Sequence, residues 1–238
     1  GNVDISVSGG TVTSIIYGGG ENNTCVNGTV TITLDNVNLG NCYVNGGVLG
    51  HGPEGTRNID DGTMSTYAVV DKVVINATNT ETSVLGGGGS GSTKVLDAVV
   101  TLDGCRVGYL YASGINGEMG NSSLKATNCT ITGELAATNR GFIKTADVTL
   151  VGCDVKLLMT GATTGCFSTD SGYPDGSAIT ESIVWNIDDA TTVETALLTP
   201  MVKRDGNKED PVYTATTQNT TIQKDGKPLN IEFAEFTP

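Results

Sequence analysis

Short stretches in which hydrophobic and polar residues alternate recur along this chain. The three clearest copies are VVTLDGCRVGYLY, SLKATNCTITGEL and DVTLVGCDVKLLM, and their cysteines, Cys105, Cys129 and Cys153, lie 24 residues apart. Alternation predicts a half-buried β-strand, because successive side chains of a strand point to opposite faces. Each copy therefore predicts two short strands joined by a polar corner of one or two residues, such as Asp103-Gly104.

Related copies extend this repeat in both directions. Earlier copies place Gly10, Val37 and, approximately, Asn79 at the cysteine position, and a weaker copy, ESIVWNIDDATTV, follows at 181–193. A period near 24 residues that is built from short strands and corners is typical of a β-solenoid. We therefore predict an all-β fold, a parallel β-solenoid of about seven repeats over residues 1–199. The alternative, a helix-containing leucine-rich repeat, requires a Leu-x-x-Leu-x-Leu skeleton that these copies lack.

The same alternation predicts columns of equivalent side chains that face the core. One column contains the three cysteines, and another contains Ile16, Cys42, Leu110, Leu135 and Leu158. Stacked cysteines place their Cα atoms about 4.8 Å apart, but their Cβ atoms stay equally far apart, which is longer than a disulfide favours. We therefore expect Cys105, Cys129 and Cys153 to be buried free thiols.

The sequence changes character after about Pro200. The segments VYTATT and TTIQKDGKPLNIEF, the second with a Lys-Asp-Gly-Lys turn, predict a terminal β-hairpin. The open end of a solenoid exposes unpaired strand edges and needs a cover. We therefore predict that residues 200–238 form a C-terminal cap or linker hairpin.

Composition and charge exclude several classes of partner. The chain of 238 residues contains 33 glycines, and only 5% of its residues are aromatic. Its formal net charge is −13. An acidic chain repels the phosphate backbone of nucleic acids and the surface of anionic membranes. No run of about 18 apolar residues is present, so membrane insertion is not expected either. We predict no nucleic-acid partner and no insertion into a membrane.

The glycine run at 86–91 formally matches a dinucleotide-binding motif, but the residues that follow it read as a strand. Phosphate binding by this motif requires a helix after the glycines, so we interpret the run as a corner that needs positive φ angles or close stacking of neighbouring backbones. No Cys-x-x-Cys pair occurs. We predict no metal and no cofactor. Asn-x-Ser/Thr triplets such as the one at Asn128 are interpreted mainly as turn residues.

Candidate binding residues lie in the insertions and at one repeat position. The repeat is interrupted at 47–66, 112–123 and 161–180, and insertions in a solenoid often carry specificity on one face. Tyr17, Tyr43 and Tyr111 are assigned to one repeat position, and exposed there they would offer flat surfaces for sugar rings. The full set of candidate ligand-binding residues is Tyr17, Tyr43, Tyr111, His51, Arg57, Asp60, Asp61, Asp170 and Tyr173.

Two of these groups also suggest chemistry. His51 is the single histidine, and with Arg57 and the neighbouring acids Asp60 and Asp61 it could serve elimination or hydrolysis of a polysaccharide. A solvated polar loop explains the same residues more simply. No nucleophile motif accompanies them, so the sequence assigns no catalytic residue.

The phrase SGGTVTSIIYGGG, followed by Thr-Val-Thr-Ile-Thr-Leu and an Asn-rich corner, resembles the Gly-rich repeats of adhesin-like right-handed parallel β-helix proteins of bacterial cell surfaces. More broadly, the chain resembles the pectin-lyase-like superfamily over about residues 3–160. The resemblance implies a right-handed helix and an exported or cell-surface protein. We expect its export signal to lie outside the given sequence. Enzymes of that superfamily carry clustered Asp, Lys or Arg on one strand face, and no such cluster occurs in the repeats.

Three functions follow, in order of preference. The first is a non-catalytic structural or adhesion module at the cell surface or outside the cell, with glycans or other host or cell-surface polymers as partners. The alternative is a carbohydrate-active enzyme, a polysaccharide lyase or a glycoside hydrolase, that acts from the loop-bearing face. The third is a purely structural spacer. Two carboxylates that converge in one groove would favour the enzyme.

Overall fold

The computed structural model describes residues 1–22, 24–50, 56–57, 64–65, 68–91, 93–115, 117–139, 142–162, 181–199, 201–206, 211–216, 220–224 and 227–228. Within these ranges the regular structure is entirely β, and no helix is present. The predicted all-β class is therefore confirmed.

Most strands belong to two large sheets, which we call sheet A and sheet B. Eight strands of sheet A are parallel and lie side by side in the order β1 (Val3–Ser8), β3 (Val26–Asp35), β8 (Ala68–Thr78), β11 (Thr93–Asp103), β13 (Glu118–Thr127), β15 (Phe142–Val151), β17 (Ser182–Ile187) and β21 (Thr220–Lys224). Seven parallel strands form sheet B in the order β2 (Ile16–Tyr17), β4 (Tyr43–Asn45), β9 (Glu81–Gly86), β12 (Arg106–Tyr111), β14 (Thr130–Thr138), β16 (Asp154–Ala162) and β18 (Thr192–Leu197).

The chain visits the two sheets in alternation, so neighbouring strands in each sheet come from successive repeats. Thr101, for example, aligns with Asn76 on one side and Lys125 on the other. We call one strand of sheet A together with the next strand of sheet B a repeat unit. This parallel, in-register arrangement is compatible with the predicted solenoid.

Short strands complete the described structure. β5 (Leu49–Gly50) pairs in parallel with β10 (Ser90–Gly91), whereas β6 (Thr56–Arg57) pairs antiparallel with β7 (Met64–Ser65). Near the C-terminus, β19 (Met201–Gly206) and β20 (Pro211–Thr216) form an antiparallel pair. β22 (Lys227–Pro228) pairs antiparallel with β21, which itself extends sheet A beyond β17.

Asparagine and glycine occupy the corner at which each unit passes from sheet A to sheet B. The φ angles are +48° at Asn79, +51° at Asn128, +62° at Gly104 and +59° at Gly152. Only glycine, and to a smaller extent asparagine, adopts this left-handed conformation at low cost. The Asn128 Oδ1 lies 3.0 Å from the position that a Cβ at Gly152 would take, so the amide covers the next corner. The interpretation of Asn128 as a turn residue agrees with this geometry.

The core lies between the two sheets and contains the predicted cysteine column. Cys105, Cys129 and Cys153 are at most 3% exposed and all are free thiols, as predicted. The Sγ of Cys129 donates a hydrogen bond to the Thr127 carbonyl at 3.1 Å. Hydrogen bonding with the neighbouring thiols of Cys105 and Cys153, together with burial, raises the pKa of Cys129.

Two assignments along the predicted columns are wrong. The pairing of β2 with β4 aligns Ile16 with Val44 rather than with Cys42, because the chain turns between Leu39 and Cys42 before β4 begins. In the cysteine column the third unit contributes Thr80, since Glu81 aligns with Arg106. Asn79 occupies the left-handed corner instead.

Glycines line a second corner, where sheet B ends. None of the residues from Gly86 to Gly89 has a positive φ angle. A Cβ at Gly88 would lie 2.5 Å from the Gly114 nitrogen and 2.9 Å from its Cα, both in the next unit. Of the two explanations for the glycine run, close stacking of neighbouring backbones is therefore the correct one.

We expect Gly88→Ala to destabilise the fold by roughly 2 kcal/mol or more, because the added methyl group overlaps backbone atoms that cannot rotate away. Gly9→Ala is the matched control, because a Cβ at Gly9 would meet no atom within 4 Å. This substitution should destabilise the fold only through the left-handed φ angle, which costs about 1–2 kcal/mol. Denaturant unfolding measures both. A Gly88→Ala loss smaller than that of Gly9→Ala would contradict the packing argument.

Thiol labelling tests the core column. Cys105, Cys129 and Cys153 should react with a thiol reagent only after unfolding, because they are buried, whereas the exposed Cys25 should react in the native state. Mass spectrometry of peptides from a native labelling time course resolves the four sites. Labelling of the three column cysteines at the rate of Cys25 would show that the column is accessible to solvent.

Candidate functional site

Tyr111 faces outward from sheet B but is enclosed by protein. It is 3% exposed and lies in a second, small hydrophobic cluster with Val84, Ala136 and Met159. Its hydroxyl donates a 2.7 Å hydrogen bond to the Glu134 Oε1. The ring is therefore not an exposed surface for stacking.

Tyr17 and Tyr43 are half-buried and do not share a repeat position. Tyr17 aligns with Asn45, whereas Tyr43 aligns with Val84, two residues earlier along the sheet. The assignment of Tyr43 to the position of Tyr17 and Tyr111 is wrong for the same reason as that of Cys42. Burial raises the pKa of Tyr17. Asn45 is itself fully buried, and neither its Nδ2 nor its Oδ1 has a hydrogen-bond partner among the described residues.

The other candidates from the sequence belong to the insertions. Arg57 lies in β6, and nothing is described of its side chain. The remaining candidates lie outside the described residues: His51, Asp60, Asp61, Asp170 and Tyr173. The predicted shared face of the three insertions therefore remains a prediction.

An open groove of about 510 Å³ crosses β14, β16 and β18 on the outer face of sheet B. Its floor contains Ile131, Val155 and Val193, which face the core and align with one another in neighbouring strands. The outward residues beside them form its polar lining: Thr130, Thr132, Asp154, Lys156, Thr192 and Glu194. The sequence did not predict this groove.

The polar lining carries both hydroxyl groups and charges. The Thr192 hydroxyl donates a 2.6 Å hydrogen bond to the Asp154 Oδ1. Lys156 and Glu194 follow the aligned pair Val155 and Val193, so they are neighbours on adjacent strands. Among the described residues, neither belongs to an ion pair; the pairs found are Lys94–Glu118, Arg106–Glu81, Lys144–Glu181 and Lys224–Asp189.

The aromatic ring of Tyr109 lies beside the groove, although it is not among the residues that line it. It is 43% exposed, although it lies within β12. A Cβ at Gly133 would lie 3.3 Å from the Tyr109 Cε1, so the ring rests over this glycine, next to Thr132. β14 contains an irregularity between Ile131 and Glu134, which places Gly133 there. The signal for Tyr109 in the sequence is Gly108, which interrupts the alternation of the strand and leaves Tyr109 exposed and Leu110 buried.

The turn before β18 fixes the strand that carries Thr192 and Glu194. The Asp188 Oδ1 accepts hydrogen bonds from the Gly152 nitrogen at 3.0 Å and from the Thr191 nitrogen and hydroxyl at 2.9 and 2.6 Å. These hydrogen bonds lower the pKa of Asp188, and the bond from the Thr191 hydroxyl has the largest effect. Asp188 therefore stabilises this longer corner between sheet A and sheet B, where the other units have asparagine or glycine.

Comparisons of the chain with protein-family models, with curated proteins and with solved structures found no match. The described strands contain no cluster of three or more His, Cys, Asp or Glu side chains arranged to hold a metal ion. Within the described ranges, no helix has the length and apolarity required to cross a membrane.

The hydrogen bonds of Asp188 predict a pH dependence of stability. Since folding lowers its pKa, the carboxylate contributes stability above its unfolded pKa of about 3.9, and that contribution disappears as the pH falls below this value. Asp188→Ala should cost about 1 kcal/mol at pH 7, as the loss of a side-chain cap does, and less at pH 3. Urea unfolding at both pH values measures this. An equal loss at both would show that the charge of Asp188 has no role.

Proposed function

We propose that this chain is a right-handed parallel β-helix of about seven repeat units with a C-terminal hairpin cap, and that it serves as a non-catalytic adhesion or structural module outside the cell or on its surface. Its ligand is a glycan, bound in the groove of sheet B. The parallel, in-register sheets and the resemblance to adhesin-like repeats support the architecture. The location rests on that resemblance alone.

The observation that carries the proposal is the combination of Tyr109 with a groove lined by hydroxyl groups and charges. A sugar ring presents an apolar face, which suits an aromatic ring, and a rim of hydroxyl groups, which suits Thr132, Thr192 and the carboxylates beside them. The groove crosses three parallel strands, which are about 4.8 Å apart. An extended polysaccharide laid across them would meet hydroxyl groups on β14, a carboxylate and an ammonium group on β16, and a hydroxyl group and a carboxylate on β18.

A carbohydrate-active enzyme is the second candidate, because Asp154 and Glu194 line one groove. Hydrolysis of a glycosidic bond commonly requires such a pair of carboxylates. However, both are exposed, and Asp154 is bound to Thr192. A general acid is usually held in a buried, apolar setting that keeps it protonated. We therefore favour binding over hydrolysis or elimination.

Tyr109→Ala should weaken glycan binding about tenfold, which corresponds to about 1.4 kcal/mol, because it removes the stacking surface. Val99→Ala is the matched control, since Val99 is an exposed side chain on the outer face of sheet A. A glycan array identifies ligands for the wild-type protein, and calorimetry then compares the variants. Equal binding by wild-type protein and Tyr109→Ala would place the glycan elsewhere.

The same preparation should leave acidic polysaccharides intact in lyase and hydrolase assays. Turnover that is abolished by Asp154→Asn and by Glu194→Gln would establish the enzyme instead. Absence of both binding and turnover would leave the structural spacer.

A further inference from the structure

The charges along the groove indicate which class of glycan it accepts, and this inference rests on the proposed function. The described charged side chains on the outer face of sheet B, from β9 to β18, are Glu81, Arg106, Glu134, Asp154, Lys156 and Glu194. Four are acids and two are bases, so this face has an excess of negative charge. The whole chain is acidic as well, with a net charge of −13.

Existing contacts account for only some of these groups. The Arg106 Nε lies 3.8 Å from the Glu81 Oε1, so the two charges offset each other. Glu134 accepts a hydrogen bond from the Tyr111 hydroxyl and aligns with Tyr109 on the neighbouring strand. Asp154 accepts a hydrogen bond from the Thr192 hydroxyl. Glu194 has no hydrogen bond or ion pair among the described residues, although Lys156 lies on the adjacent strand.

We propose that the groove binds a polysaccharide with free amino groups, such as a glucosamine polymer, through an ammonium group bound by Glu194 while a neighbouring ring stacks on Tyr109. A chain of uronic acids would bring repeated negative charges against an acidic surface, which opposes its approach at any distance within the Debye length. Lys156 alone does not reverse this field, because it lies between two carboxylates.

The test compares three soluble oligosaccharides of equal length: fully deacetylated chito-oligosaccharide, its N-acetylated form and oligogalacturonate. The first two share one backbone and differ in the ammonium charge. By calorimetry at low salt, we expect the deacetylated form to bind at least about tenfold more tightly than the acetylated form. The difference should shrink at high salt, because exposed charges are screened.

Two variants locate the effect. Glu194→Gln should reduce the preference for the deacetylated form severalfold, because it weakens binding of the ammonium group more than binding of the uncharged acetylated form. Lys156→Gln should increase the preference, whereas Lys125→Gln, a removal of the same charge on the outer face of sheet A, should leave it unchanged. All of these positions are solvent-exposed on strands, and a melting curve for each variant confirms that it is folded.

The outcomes separate this inference from the proposed function. Binding of the acetylated form or of oligogalacturonate that equals or exceeds binding of the deacetylated form, with Tyr109 still required, would overturn the amino-sugar assignment and keep the glycan module. A preference for the deacetylated form that Glu194→Gln does not reduce would overturn the assigned partner. Absence of binding to any of the three, and to a glycan array, would overturn both.

Discussion

The close stacking of one repeat unit's backbone on the next is the constraint on which the rest of the structure depends. At the glycine corner, atoms of Gly114 occupy the space that a side chain at Gly88 would need. Because the strands pair in register at both sheets, each unit must supply the same number of residues to each strand or absorb the difference in a loop or bulge. The abundance of glycine follows from this requirement, since a corner without Cβ atoms lets parallel strands approach to pairing distance.

The same constraint explains the residues at the opposite corner. A left-handed conformation there turns the chain sharply from sheet A to sheet B, and Asn79, Gly104, Asn128 and Gly152 adopt it in successive units. Backbone bonds hold these corners together, for example from the Gly104 nitrogen to the Thr127 carbonyl at 3.0 Å. Asparagine in one unit stacks on glycine in the next unit. This arrangement suits the corner, because the asparagine side chain fills the space that the glycine leaves open.

Much of this architecture follows from local patterns in the sequence, and the failures have a common cause. The spacing of Cys105, Cys129 and Cys153 located the regular units because both steps are 24 residues long. Cys42 was misplaced because a turn of unknown length precedes the three-residue strand β4. Alternation predicts which side chains of a strand face the core, but it does not predict how many residues a turn contains.

The groove escaped prediction for a related reason. Its lining comes from three strands that are distant in sequence, and the place of Tyr109 beside it depends on the irregularity at Gly133 in β14. Polar outward residues such as Thr130 and Thr192 are also what any solvated strand shows, so their pattern alone does not mark a site. By contrast, Tyr111 was a candidate ligand-binding residue, but it is buried because a second cluster covers that part of sheet B.

The parallel stacking of units also determines how the chain would respond to force. Hydrogen bonds between neighbouring strands run along the stacking direction, from β1 at one edge of sheet A toward β22 at the other. Tension applied between these two edges would load the bonds of one interface at a time, so that units peel away in succession instead of sliding past one another. Each regular unit of 24 residues would release about 80 Å of extended chain. A tether of this kind would lengthen in steps, and the force on whatever it holds would be limited by its weakest remaining interface.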